Sequence, residues 1–235
     1  MNPNAPRGAP NEVRALHLAI NVMAHCHSSA TVEIGHTRVI AIVRPPKQLT
    51  QEYRGTRGRV SCQVHAAPRG LEAATSGLLS SPNESGPACK DLALALEGVA
   101  EQAVMLESVP QLLIEVVMEI ARDEGGVWDA ATTAMSVALA VGGFEMRSLF
   151  TACSAGLLED GSLMTDLDAA EEQRALALTK VCVALGTGDI YLMQHRGCCE
   201  VSTLAQLSQS AIDGAFARKA AIVQQVKEMC GYTTH

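Results

Sequence analysis

From Ala30 to Val43 the chain alternates between two side-chain classes at every second position, pauses at Gly35-His36, and is stopped by Pro45-Pro46. A period of two sends successive side chains to opposite faces of an extended strand, so this run reads as a hairpin with one buried face. The wider stretch from Arg14 to Pro46 reads as strands and tight turns, and Gly58 to Ala67 as a further strand with Val60, Cys62 and Val64 on one face. Residues 47–58 read as a polar loop. Residues 68–87, rich in Gly, Ser, Pro and Asn, read as a long mobile one.

The period then changes. Leu92, Leu96, Val99, Ala103 and Leu106 recur at helical spacing, with Pro110 marking the exit. Leu112 to Ala121 is a buried strand, and Asp123-Glu124-Gly125-Gly126 turns the chain into a helix from about Trp128 to Val141, closed by Gly142-Gly143. Leu149–Leu158 pairs with Ser162–Asp166 across Glu159-Asp160-Gly161, and Leu176–Leu185 pairs with Asp189–His195 across Gly186-Thr187-Gly188. A long final helix reaches about Cys230, with Thr203 and Gln206 as its capping box. Strands cluster rather than alternating strictly with helices, which makes the chain α+β.

Composition narrows the functions. The 235 residues are 48% apolar but only 3% aromatic, so a large core must be built from aliphatic side chains. Twenty-five acidic residues against eighteen Lys and Arg give a net charge of −7, the wrong sign for a free-standing nucleic-acid-binding domain. No apolar run reaches the roughly 18 residues of a membrane span, and Met1 to Pro10 lacks the apolar core of a secretory signal, so the expectation is an intracellular chain with no membrane partner. Of the eight cysteines, Cys62, Cys153, Cys182 and Cys230 sit in apolar runs and read as small buried residues. His25-Cys26-His27 and Cys198-Cys199 are the remaining clusters, and neither supplies four metal ligands.

Three ordered segments resemble the RNase PH family. They are Ala30-x-Val32-x-x-Gly35-x-Thr37-x-Val39-x-Ala41-x-Val43-x-x-Pro46; then Asp123-Glu124-Gly125-Gly126-Val127-Trp128-Asp129-Ala130-Ala131 with a helix ending Ala138-Leu139; then Asp166-Leu167-x-x-x-Glu171-Glu172. The resemblance covers roughly Val13 to Met229. It implies a flexible tail over residues 1–12 and one RNase PH-like domain over 13–232, built of two βαβα-like halves that assemble into a ring with a central RNA pore. Met146-Arg147-Ser148-Leu149-Phe150 and Asp160-Gly161-Ser162-Leu163 are most similar to the non-catalytic subunit of the bacterial-RNase-PH-like branch of the eukaryotic RNA exosome core. That resemblance implies other RNase PH-type subunits and cap proteins as partners, and a nuclear (including nucleolar) and cytoplasmic location.

Active members of the family degrade RNA from its 3′ end with inorganic phosphate as nucleophile. The chemistry needs donors for phosphate at a helix start, carboxylates for a divalent metal, and arginines for the RNA backbone. Where active relatives carry Ser or Thr followed by Arg after the glycine pair, this chain has Val127 and Trp128, so the phosphate is left with backbone amides alone. Asp166 and Glu172 stand where the family places its metal-binding acids; the preferred reading of them is an exposed turn and the acidic start of a short helix. Between Arg69 and Arg122 the one cation is Lys90, so the family's RNA-binding arginines are missing as well. The expectation is no catalysis and no cofactor, with Arg44, Lys47, Arg54, Arg57 and Arg59 as the RNA-facing loop. A divergent phosphate-dependent exoribonuclease and an unrelated α+β scaffold are the alternatives.

Overall fold

The computed structural model describes residues 12–49, 56–66 and 86–229. The hairpin reading holds: β2 (Ser28–Ile34) pairs antiparallel with β3 (Thr37–Val43) across Gly35, with Val32 opposite Val39 and Ala30 opposite Ala41. β1 (Leu16–Ile20) lies outside β2, and β6 (Leu112–Arg122) lies on the other side of β3. The short β4 (Lys47–Gln48) pairs with the first residues of β6, while β5 (Arg59–Ala66) runs parallel to β6. A parallel pair needs a crossover, and helix α1 (Pro87–Ala103) provides it.

A second, antiparallel sheet has the order β10-β9-β7-β8, from β7 (Phe150–Leu158), β8 (Leu163–Thr165), β9 (Ala175–Ala184) and β10 (Ile190–Gly197). Both hairpins expected in this half form. Helix α2 (Val127–Val141) packs against β2 and β3 of the first sheet and β7 of the second, and Trp128 through Leu139 are all buried. Burial on every side explains the small residues: Ala130, Ala131, Ala134 and Ala138 let both sheets approach closely. Its threonine hydroxyls donate within the helix, Thr132 to the Trp128 carbonyl (2.7 Å) and Thr133 to the Asp129 carbonyl (2.8 Å).

After the six-residue α3 (Ala169–Arg174), helix α4 (Val201–Met229) covers β7 and β9 and reaches β1. There Gln225 closes the strand edge, accepting from the Leu18 amide (2.8 Å) and donating to the Leu16 carbonyl (3.0 Å). Unpaired backbone on an edge strand is thereby satisfied by a side chain.

Three boundaries differ from the sequence reading. Helix α4 starts at Val201, with the Leu204 amide on the Glu200 carbonyl (2.9 Å), so Thr203 and Gln206 lie inside it and form no capping box. Helix α1 starts at Pro87, whose missing N–H is harmless in a first turn, and ends at Ala103, leaving Leu106 buried beyond it. The polar stretch 47–58 contains β4. Residues 1–11, most of the 68–87 stretch and Cys230 lie outside the described residues. No helix among those described is long and apolar enough to cross a membrane.

Candidate functional site

The Asp123–Gly126 turn carries β6 into α2, with Gly125 at φ +87° and Gly126 at +73°, conformations that a side chain resists. Such a turn directs two backbone amides outwards, as an anion site would require. Here the chain fills both. Gly125 donates to the Asp123 carboxylate (3.1 Å) and Gly126 to Oε1 of Glu172 (2.9 Å). The start of α3 closes on the same turn, the Ala169 amide donating to the Glu124 carbonyl (3.1 Å). Asp168 and Glu171 form a reciprocal capping box that fixes α3, each bond 2.8 Å, and this presents Glu172 to the turn.

Trp128 is 4% exposed and packs into the main core. Its Nε1–H has no acceptor among the described residues. Val127 and Trp128 form part of the wall of a cleft of about 870 Å³ between α1, β6 and the β9–β10 hairpin.

Asp166 overturns part of the sequence reading, because it is not in an exposed turn. It is fully buried, at φ +58°. Its Oδ2 accepts from the Arg14 amide (2.6 Å), and its Oδ1 lies 2.7 Å from Nη2 of Arg14 and 2.7 Å from Nη2 of Arg218. Arg218, 2% exposed, also donates to the Ala152 carbonyl (2.7 Å) and approaches Oδ2 of buried Asp129 (3.3 Å). Two guanidiniums thus meet two carboxylates in the interior. Burial alone would raise the Asp166 pKa, but Arg218 and Arg14 together hold it well below the ordinary carboxylate range. Burial pushes Asp129 the other way, with Arg218 only partly opposing it.

A divalent metal does not fit these acids. Both Asp166 oxygens are taken by arginines in a buried site, and Glu172 is bonded to Gly126; among the described residues no three His, Cys, Asp or Glu are placed to share an ion. The two side clusters are equally unsuited. His27 bonds the Gly142 carbonyl (2.9 Å) and Cys26 the Met23 carbonyl (3.2 Å). Cys199 lies 3.8 Å from Nε2 of His195, while Cys198 is exposed. Cys62, Cys153 and Cys182 are free and buried, and burial pushes the Cys62 thiol up to about 12.

The basic segment is largely neutralised by its own surroundings. Lys47 and Arg44 share Glu115 (2.6 and 3.9 Å), and Arg57 pairs with Glu107 (3.0 Å). Arg59 opens β5 on an exposed position, and Arg54 lies outside the described residues. What the sequence reading missed is Arg14, Asp129 and Arg218, together with Lys180, Gln194 and Arg196 beside the cleft.

Comparison with known proteins places this geometry. The model of the 3′ exoribonuclease family, domain 1 (RNase PH), matches residues 12–145, more than half of the chain. The chain belongs to that family. Exosome complex component Rrp41 of Pyrococcus horikoshii is 29% identical over 208 residues, covering 87% of this chain and 80% of the relative. Rrp41 of Pyrobaculum neutrophilum is 32% identical over 167 residues, covering 70% and 65%. Among solved structures, rice (Oryza sativa) Rrp46 superposes with a TM-score of 0.76 at 20% identity, over 93% of this chain and 95% of that one. A chain of the Archaeoglobus fulgidus exosome with RNA bound to the active site gives 0.73 at 18% identity, over 90% and 89%. The RNase PH-like fold is therefore established.

Proposed function

We propose that this family member is a structural and RNA-channelling subunit of an RNA exosome core ring, serving 3′-to-5′ processing and decay by partner nucleases without cutting RNA itself. The observation that carries the reading is the occupied glycine turn. A phosphate at Gly125 and Gly126 would have to displace two carboxylates of the same chain, and Val127 and Trp128 offer it neither hydroxyl nor guanidinium. Like charges held that close repel an incoming anion rather than bind it. The Rrp41 relatives and the exosome structures support the ring, with other RNase PH-type chains and cap proteins as neighbours. Location in the nucleus, nucleolus and cytoplasm goes with that role.

The retained cleft favours a second reading, a divergent phosphate-dependent exoribonuclease, and one assay separates the two. The purified chain, given single-stranded RNA, phosphate and Mg²⁺, is expected neither to shorten the RNA nor to extend it from a nucleoside diphosphate. Trp128→Arg alone should stay inactive, because Asp123 and Glu172 remain on the amides. Phosphate-dependent trimming by the wild-type chain would overturn the reading. Tagged protein recovered from cells should bring down other RNase PH-type chains in near-equal amounts.

The basic segment gives a further expected result. Arg44, Lys47 and Arg57 make exposed ion pairs of little net strength, so RNA phosphates can compete for these cations. In reconstituted rings, Arg54→Glu, Arg57→Glu and Arg59→Glu together should weaken RNA binding whatever the sequence and flatten its salt dependence, since each lost phosphate contact removes counterion release. Assembly should survive. Unchanged affinity and salt slope would reduce the segment to surface decoration.

A further inference from the structure

The cysteines differ in what surrounds them. Cys62, Cys153 and Cys182 are buried, and burial pushes all three thiols up, which leaves them inert. Cys26 donates its thiol hydrogen to the Met23 carbonyl (3.2 Å). Cys198 is exposed and makes no hydrogen bond among the described residues. Cys199 is the one cysteine among those described that meets an imidazole in hydrogen-bond reach, its Sγ 3.8 Å from Nε2 of His195.

Strand register holds that imidazole in place. His195 of β10 stands directly opposite Thr179 of β9, and its Nδ1 lies 2.9 Å from the hydroxyl of the fully buried Thr179. In the tautomer that donates from Nδ1 to this hydroxyl, Nε2 faces the thiol as an acceptor. Thr179 is on the face that carries Ala177 and Val181 into the apolar cluster under α4, and Cys199 packs half-buried against the same cluster. The sulfur is thereby fixed, while His195 stays exposed to an incoming reagent. Cys199 also precedes Glu200, whose carbonyl accepts from the Leu204 amide and opens α4, so the positive end of a 29-residue helix begins one residue beyond it. The Glu200 carboxylate itself accepts from the Ser202 hydroxyl (3.4 Å). A nucleophile, a base and a third group that orients the base are the parts that activate a thiol.

We propose that Cys199 is a site of reversible modification by thiol–disulfide exchange with low-molecular-weight disulfides, with His195 as its base and Thr179 as the group that orients the base. The thiol proton passes to Nε2 of His195, and the Cys199 sulfur attacks one sulfur of the disulfide. A new S–S bond to Cys199 forms as the old one breaks, and the leaving thiolate takes the proton back from the imidazole. Cys199 is oxidised to a mixed disulfide and the departing half of the reagent is reduced to a thiol; a second small thiol reverses the exchange by the same route. Cys198 is the more exposed neighbour but has no base beside it among the described residues. The site lies where β10 passes into α4, away from the glycine turn, and requires neither RNA nor a ring.

The reduced full-length protein is mixed with oxidised glutathione as the probe, and adducts are located over time by peptide mass spectrometry. Cys199 should react at least about tenfold faster than Cys26, Cys89 or Cys198, since a positioned base contributes at least that much to a proton transfer. Cys198→Ser should keep the fast adduct and Cys199→Ser should lose it, which separates the two neighbouring thiols. His195→Gln changes an exposed side chain and should leave the melting temperature as it was. It should slow the Cys199 adduct about tenfold or more, by removing the base, while Cys89 keeps its wild-type rate. Dithiothreitol should release the adduct and restore the free thiol. The proposal is overturned if the Cys199→Ser protein is modified at Cys198 as fast as the wild type is at this pair, if His195→Gln leaves the Cys199 rate unchanged, or if Cys199 reacts no faster than Cys89.

Discussion

Arg218→Ala should destabilise the protein by about 3–5 kcal/mol, because it removes the guanidinium that two buried carboxylates share and leaves Asp129 with no ion-pair partner among the described residues. Asp166 and Asp129 are both fully buried, and Arg218 contacts both, at 2.7 and 3.3 Å. Without it, Asp166 keeps Arg14, whereas among the described residues Asp129 keeps the Ser154 amide and hydroxyl alone as side-chain partners (3.1 and 3.2 Å). For a domain of this size the loss corresponds to a fall in melting temperature on the order of 10 °C, read by circular dichroism. Adding Asp129→Asn should recover part of it, since the second change removes the stranded charge; strict additivity of the two would refute the coupling. The same network sets acid sensitivity. Asp166 is held below its unfolded value of about 4, so its contribution is complete above that value and is lost as pH falls further. Asp129 is raised, so its buried charge weighs against the fold above its own elevated pKa and is relieved by protonation on the way down. Stability of the wild type should fall steeply below about pH 4, the reference carboxylate range, and Arg218→Ala should show a shallower acid limb.

Gly125→Ala should be nearly as damaging, for a backbone reason. At φ +87° an added Cβ would lie 2.3 Å from the Ala169 nitrogen and 2.4 Å from the Asp168 carbonyl carbon, neither of which can swing aside. Left-handed strain of about 1–2 kcal/mol adds to an overpacking penalty of about 1–3 kcal/mol, and α3 must move off the turn. Gly126→Ala meets instead the end of the Arg14 side chain at 2.5 Å, which can shift where backbone cannot, although at the expense of its bonds to Asp166 and Leu167, and should be somewhat milder. Chemical denaturation of the two variants provides the check, and equal losses would show that α3 does not brace the turn. In the Gly125 variant the Glu172 carboxylate should also leave the Gly126 amide, exposing that amide to faster hydrogen exchange.

Much of this architecture is written in local periodicity. Alternation from Thr37 to Val43 specifies the register of the β2–β3 hairpin, because β3 buries one face and so tolerates no slip. The helical stripe Leu96, Val99 and Ala103 likewise specifies α1, and the glycine pair together with Val127-Trp128 is enough to put the phosphate donors in doubt. Helix ends are less legible, since Glu200 begins α4 through a backbone carbonyl that any residue could offer. Arg218 left a trace: it falls on the stripe Ala211, Ala215, Ile222 of α4, a charge on an apolar face, though nothing nearby in sequence names its partner. Those partners are 89 and 52 residues distant, as Asp129 and Asp166, and only the packing of α4 and α2 against β7 brings them to it. Glu172 is the clearest division between the two sources. Its place in an acidic helix start is local chemistry, but its bond to Gly126, 46 residues away, exists because the second sheet carries α3 back to the turn at the head of α2. Sequence alone determined that Val127 and Trp128 bring no hydroxyl or guanidinium to the turn; tertiary structure decided what holds its amides, because long-range contacts are set by how sheets and helices stack and not by spacing along the chain.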